Sequence, residues 1–119
     1  MTRDRDPDCL FCRIVAGEIP SDQVFADDQL VAFRDITPRA PTHVLVVPRE
    51  HIRSLAEVAE SDAPIAGHLI TATAEIARRE GLAERGYRVV ANVGRWGGQT
   101  VDHLHLHLMG GRSFTWPPG

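Results

Sequence analysis

Residues 102–111 read DHLHLHLMGG, with His103, His105 and His107 separated by Leu104, Leu106 and Leu108 in strict alternation. Three of the 6 histidines in the chain fall in this stretch. Successive side chains of a β-strand point to opposite faces, so this pattern predicts a strand with leucines on one face and imidazoles on the other. The leucine face would be buried, which fixes the register. The imidazoles would then stand in a row at a spacing of roughly 7 Å. Polar faces of strands are usually filled by Thr, Ser, Lys and Glu, so a row of histidines points to chemistry, either metal ligation or work on an anion. Neighbours at that spacing do not converge on one ion without bending. The stretch just before it, GRWGGQT at 94–100, supplies Gly97 and Gly98, which would allow backbone N–H groups close to an anion, and the hydroxyl of Thr100.

Outward from this strand, the order of elements gives the fold class. CLFCRIVAG at 9–17 predicts a short amphipathic helix ended by Gly17. Strands are expected at 23–26 and 30–34, joined through Asp27 and Asp28, then at 43–48, where HVLVVP stops at a proline. The prolines of ITPRAPT favour an extended loop ahead of it. The longest helix starts near Ser61 or Asp62 and runs to about Glu80, before Gly81, with Ile65, Leu69, Ala72 and Ile76 as its buried stripe. His68 lies beside that stripe and reads as a surface or interface residue. YRVVANVG at 87–94 predicts a further strand. The result is one α+β domain over 1–119, with an antiparallel sheet of about five strands, one long and one short helix, and a flexible tail at 1–8.

The chain has 119 residues, 43% hydrophobic and 24% charged, so a single globular core is expected. The absence of an apolar run of ~20 residues and the polar opening MTRDRDPD favour a cytoplasmic protein with no membrane partner. A net charge of −3 without a clustered basic face argues against nucleic acid as a partner. Cys9 and Cys12 form a C-x-x-C pair, read either as half of a metal or redox site or as two small apolar residues of the short helix.

HLHLHLM at 103–109, AFRDITPRAPTHVLVVPREHI at 32–52, GGQTVDHLHLHLMGG at 97–111 and the ending WPPG together resemble the histidine triad (HIT) family, most closely its branch of purine nucleoside phosphoramidases. The resemblance implies a HIT-like fold whose sheet continues across a homodimer, and hydrolysis of purine nucleoside 5′-phosphoramidates through a nucleotidyl-histidine. By position, His105 would be the nucleophile. His103 would orient it through its backbone carbonyl and share a polar network with His43. His107 would donate to a phosphate oxygen, beside Asn92 and the Gly98, Gln99 and Thr100 loop.

Asp35 would bind the ribose, though on its own it reads equally as the cap of a turn. The purine would sit among Leu10, Phe11, Ile14, Ile19, Phe33 and Ile36, several of which read singly as plain core. Val101 is grouped with the nucleotide-binding residues, and Trp116 would shape the leaving-group side of the partner's site or simply pack the tail. No cofactor is required for catalysis. A structural zinc on Cys9, Cys12, His51 and His103 is implied for those members that carry the cysteine pair, because two thiolates and two imidazoles suit a tetrahedral ion with no open position. Two other functions stay open: a dinucleoside polyphosphate hydrolase, and a nucleotide-binding regulatory or scaffold protein.

Overall fold

The computed structural model describes residues 3–119. Two helices, α1 (Leu10–Val15) and α2 (Ala63–Arg79), flank five strands: β1 (Gln23–Ala26), β2 (Leu30–Arg34), β3 (Thr42–Pro48), β4 (Arg88–Val90) and β5 (Leu106–Gly110). The strands form one antiparallel sheet in the order β1-β2-β3-β5-β4. The last strand therefore inserts between β3 and β4, and the histidine run enters the middle of the sheet.

The period-2 alternation sorts the buried residues into two layers. Leu30 and Ala32 of β2, Val44 and Val46 of β3, and Leu106 and Leu108 of β5 pack with Leu69, Ala72 and Ile76 of α2. The residues between them, Val31, Phe33, Leu45 and Val47, pack with Phe11, Cys12 and Ile14 of α1. Of the expected α2 stripe, Leu69, Ala72 and Ile76 are buried, and Ile65 at the start is partly buried against the same cluster. Arg78 and Arg79 occupy the last turn of α2, where cations complement the carbonyl end, and Gly81 follows at φ 74°. His68 is half-buried and ties α2 to the β1–β2 turn through a 2.6 Å bond from Nε2 to Asp27 Oδ2. No helix of the described residues is long and apolar enough to cross a membrane.

Two expectations change in detail. The ladder of the last strand begins only at Leu106, so His103, Leu104 and His105 lie ahead of it. The reason is that pairing with β3 stops at Val46 opposite Leu106, and the N–H of Leu104 donates to the carbonyl of Ile52 beyond the proline end of β3. The alternation nevertheless continues: Leu104 joins the α2-side core, while the rings of His103 and His105 stand edge-on to Phe11 of α1. The strand expected at 87–94 is confined to Arg88–Val90, because residues 92–99 close on themselves as a loop. Within the segment expected as a flexible tail at 1–8, Arg3 pairs with Glu50 and Asp62, each at 2.9 Å. Met1 and Thr2 lie outside the described residues.

Leu108 is fully buried between Val44 and Val89 in register. Leu108→Ala is expected to cost about 2–5 kcal/mol of stability, read as a lower urea midpoint. A loss below ~1 kcal/mol would contradict the central position assigned to β5.

Candidate active site

The site grows from the α1-side face of β3 and β5. His43 lies opposite Met109 and Leu45 opposite His107, so His43 and His107 are diagonal neighbours on one face. His43 Nε2 and His107 Nδ1 are 2.9 Å apart. The backbone N–H of Arg39 donates to His43 Nδ1 at 3.0 Å, which makes that nitrogen an acceptor. The proton of His43 therefore sits on Nε2 and is donated to His107 Nδ1, and the proton of His107 sits on its Nε2. A backbone amide in the 36–42 loop thus sets His107 as a donor. Asp35 Oδ2 lies 3.5 Å from His43 Nε2, while Asp35 Oδ1 accepts from the N–H of Thr37 at 2.9 Å. Both readings of Asp35, turn cap and site residue, are compatible in one side chain.

His105 is oriented by the same logic. Its Nδ1–H donates to the carbonyl of His103 at 2.6 Å, which leaves Nε2 as a bare lone pair. Burial holds His43 and His105 below the ordinary histidine range and pushes His107 down to about 4. All three rings are therefore neutral at pH 7, the form in which an imidazole attacks. The centroids of His105 and His107 lie 4.9 Å apart, closer than a straight strand would set them.

His103 faces elsewhere. The expectation that it shares a network with His43 is corrected here: His43 meets His107, and the ring of His103 enters a cluster with Cys9, Cys12 and His51. Its Nε2–H donates to the carbonyl of Pro48 at 2.7 Å, and burial pushes its pKa down to about 4, so Nδ1 is an unprotonated lone pair. That nitrogen lies 3.2 Å from His51 Nδ1 and 3.3 Å from Cys9 Sγ, and Cys12 Sγ lies 3.2 Å from His51 Nδ1. Ligands at ordinary zinc bond lengths would be separated by ~3.3–3.8 Å in a tetrahedron, close to these values. The backbone N–H groups of Cys12 and Asp6 point at the two sulfurs, at 3.3 Å to Cys9 Sγ and 3.4 Å to Cys12 Sγ. Burial pushes the Cys12 thiol up, an effect that a bound cation would reverse. The four side chains fit a closed tetrahedral ion.

Around the histidines run three adjoining cavities. One, about 250 Å3, is lined by Leu10, Phe11, Ile14, Ile19, Phe33 and Ile36, and reaches His105 and His107. Val101 and Asp35 are also part of its wall. The second, about 460 Å3, is polar and brings Asp35, His43, Asn92, Gly98 and Thr100 to the same two histidines. The third, about 310 Å3, shares Arg39, His43, Asn92 and His107 with the second and continues to Arg88, Arg112 and Phe114. Another cavity of about 290 Å3, at Leu82 and Arg85, contains none of the histidines.

The glycine loop is closed largely by its own bonds, while Gly98 and Thr100 line the polar cavity. A Cβ on Gly97 would lie 2.3 Å from the carbonyl oxygen of Val93, and Gly98 sits at φ 80°, so both glycines are required by the turn. The N–H groups of Gly98 and Gln99 bond within the loop, to Arg95 and Gly94 carbonyls. The side chain of Gln99 staples the loop, donating to the carbonyls of Arg53 and Val101 and accepting from the N–H of Gly94. Asn92 lines the cavity and also donates to the Gly97 carbonyl at 2.7 Å. Trp116 is 85% exposed and belongs to none of these cavities. The residues that sequence reasoning missed are Arg39 and Pro48, which act through a backbone N–H and a carbonyl, groups that carry no side-chain signature.

Paired neutral imidazoles between an apolar cleft and a polar one define a site for attack on a ligand with one apolar and one anionic end. A family model for the HIT domain matches residues 16–114, and the chain belongs to that family. It is 51% identical, over 94% of its length and 97% of the other, to an uncharacterized HIT-like protein of Synechococcus elongatus. It is 48% identical to the purine nucleoside phosphoramidase of Escherichia coli K12, over 87% of each chain. Its fold superposes on the crystal structure of a HIT family hydrolase from Legionella pneumophila with a TM-score of 0.93, at 50% identity, covering 94% of this chain and all of that one.

The neutral rings of buried His43 and half-buried His107 link stability to pH. Between about 4 and the ordinary value of 6.5, the unfolded chain takes up a proton at His107 that the folded chain refuses, so stability falls as pH falls through that window. Urea midpoints should drop between pH 7 and pH 4, and His107→Gln should flatten the profile. An unchanged slope in the variant would contradict the buried neutral assignment.

Proposed function

We propose that this protein is a cytosolic enzyme that cleaves the P–N bond of purine nucleoside 5′-phosphoramidates. The observation that carries the reading is the bond from His105 Nδ1 to the His103 carbonyl, which leaves Nε2 bare at the junction of the apolar and polar cavities. In this reading His105 Nε2 attacks the α-phosphorus, the bond from phosphorus to the amine breaks, and the leaving nitrogen takes a proton from solvent, which the attacking water of the second step returns. Water then attacks the same phosphorus, breaks its bond to His105 and releases the nucleoside monophosphate. His107 Nε2–H is the donor to a phosphoryl oxygen, a charge-stabilising role that needs no reorganisation during transfer. The purine occupies the cleft of Leu10, Phe11, Ile14, Ile19 and Phe33, with Ile36 at its rim, where Ile36 is 97% exposed. Asp35 and Val101 flank the ribose end. The identity to a purine nucleoside phosphoramidase supports the substrate class.

The same reading includes a structural zinc on Cys9, Cys12, His51 and His103, and catalysis that needs no cofactor. With every ligand drawn from the chain, the ion would fasten α1 and the residues ahead of β5 to the end of β3. It also includes a homodimer joined edge to edge at β4, an end strand of the sheet, where Val89 is 42% exposed. Trp116, solvent-exposed in one chain, would then be free to reach the partner's site.

His105→Ala should lower hydrolysis of adenosine 5′-phosphoramidate at least ~1,000-fold while leaving AMP affinity within a few-fold. Turnover near the wild-type rate would remove His105 as the nucleophile. Native mass spectrometry of protein purified without chelator should give a dimer with one zinc per chain. A monomer would refute the interface, and metal far below one per chain would refute the zinc.

A further inference from the structure

The third cavity has no role in the reaction as described, although it opens directly from the catalytic one. Its shared wall is His43, His107, Asn92 and Arg39, and its far side is formed by Arg88 and Arg112. If the nucleoside fills the apolar cleft and the α-phosphorus meets His105, the departing group has this third space to occupy. Three arginines, Arg39, Arg88 and Arg112, line it. None of the three forms an ion pair within 4.0 Å among the described residues, whereas Arg34 pairs with Glu80 and Arg53 with Asp102. Asp35, the acidic residue of the site, lines the apolar and polar cavities and is not part of this wall.

The three cations are not equivalent. Arg88 and Arg112 lie over the ring of Phe114, at 5.0 Å and 4.2 Å from its centroid, and donate to the carbonyls of Thr115 and of Arg39 and Ser113. They are built into the wall and fix its charge. Arg39 is held only by its backbone, through the N–H to His43 Nδ1 and the carbonyl that receives Arg112. Its guanidinium makes no side-chain hydrogen bond among the described residues, and the residue is exposed and lines both the polar and the third cavity. A cation fixed at its root and free at its tip, beside a wall of positive charge, is suited to a mobile anion.

We infer that Arg39 is a specificity-determining residue that selects a departing group bearing negative charge, either the carboxylate of an amino-acid-type amine or a phosphate. This inference rests on the proposed reaction at His105 and adds the chemistry of the leaving side. A positively charged amine would be disfavoured in the same place by three like charges.

The test compares adenosine 5′-phosphoramidates of glycine, glycinamide and ethylenediamine, whose leaving amines carry a negative charge, no charge and a positive charge. A dinucleoside triphosphate, whose leaving group is a nucleoside diphosphate, is the fourth substrate. Intrinsic reactivity cancels when the ratio of kcat/KM for glycine over glycinamide is compared between wild type and Arg39→Gln. That ratio is expected to fall about fivefold in Arg39→Gln, to be largely kept in Arg39→Lys, and to shrink with added salt in the wild type. A matching fall for the dinucleoside triphosphate relative to glycinamide assigns the selection to phosphate as well as carboxylate; a fall for one alone assigns it to that group. Equal losses on all four substrates would reduce Arg39 to a structural residue and overturn the inference, leaving the proposed reaction intact. Absence of hydrolysis of every compound by the wild type would overturn both.

Discussion

The 2.6 Å bond from His105 Nδ1 to the carbonyl of His103 is the constraint on which the site depends. It selects the tautomer of His105, aims its free nitrogen and requires the His103 peptide to be held still. His103 is held at its ring: Nε2–H is anchored on the Pro48 carbonyl and Nδ1 looks into the cysteine and histidine cluster. The backbone that orients the nucleophile is thus fastened to the end of β3 and to α1. Proline at position 48 contributes by ending the ladder, which leaves its carbonyl beside an imidazole.

The two-layer core makes that arrangement precise. Because β2 and β3 divide their residues between α1 and α2, and β5 sets its leucines on the α2 side with His107 on the other, a register slip of one residue would exchange histidines for leucines and bury the wrong face. Catalytic geometry and core packing are set by the same alternation. The His43 to His107 contact follows from it, since the β3–β5 register alone makes these rings diagonal neighbours. Burial then keeps the rings neutral, so packing that stabilises the sheet also prepares the imidazoles chemically.

Much of this was legible in the chain. Leucine–histidine alternation, the stop at Pro48 and the stripe of α2 gave the elements and their buried faces, because those signals are local and periodic. Residue types alone gave the clusters only as lists, and it was the family resemblance that grouped Cys9, Cys12, His51 and His103 by position. Which histidine belongs to which cluster depends on where β3 ends and on the bond to Pro48, and neither is local. The roles of Gln99 and Gly97 were obscured for a related reason: a glycine loop before a histidine strand looks like an anion cradle, which hides that the amides of Gly98 and Gln99 and the glutamine side chain close the loop itself. Arg39 sits in an ordinary proline-rich loop, and only the fold sets its amide against His43 and its side chain beside the third cavity.

The central claim is that His105 Nε2 forms the bond to phosphorus. Rapid mixing of the protein with adenosine 5′-phosphoramidate, quenching in alkaline denaturant and mass mapping of the peptides tests it directly. An adenylyl group on His105, appearing before AMP accumulates and absent from His103 and His107, is the result this account predicts. Release of AMP at full rate with the adduct on another histidine would contradict it.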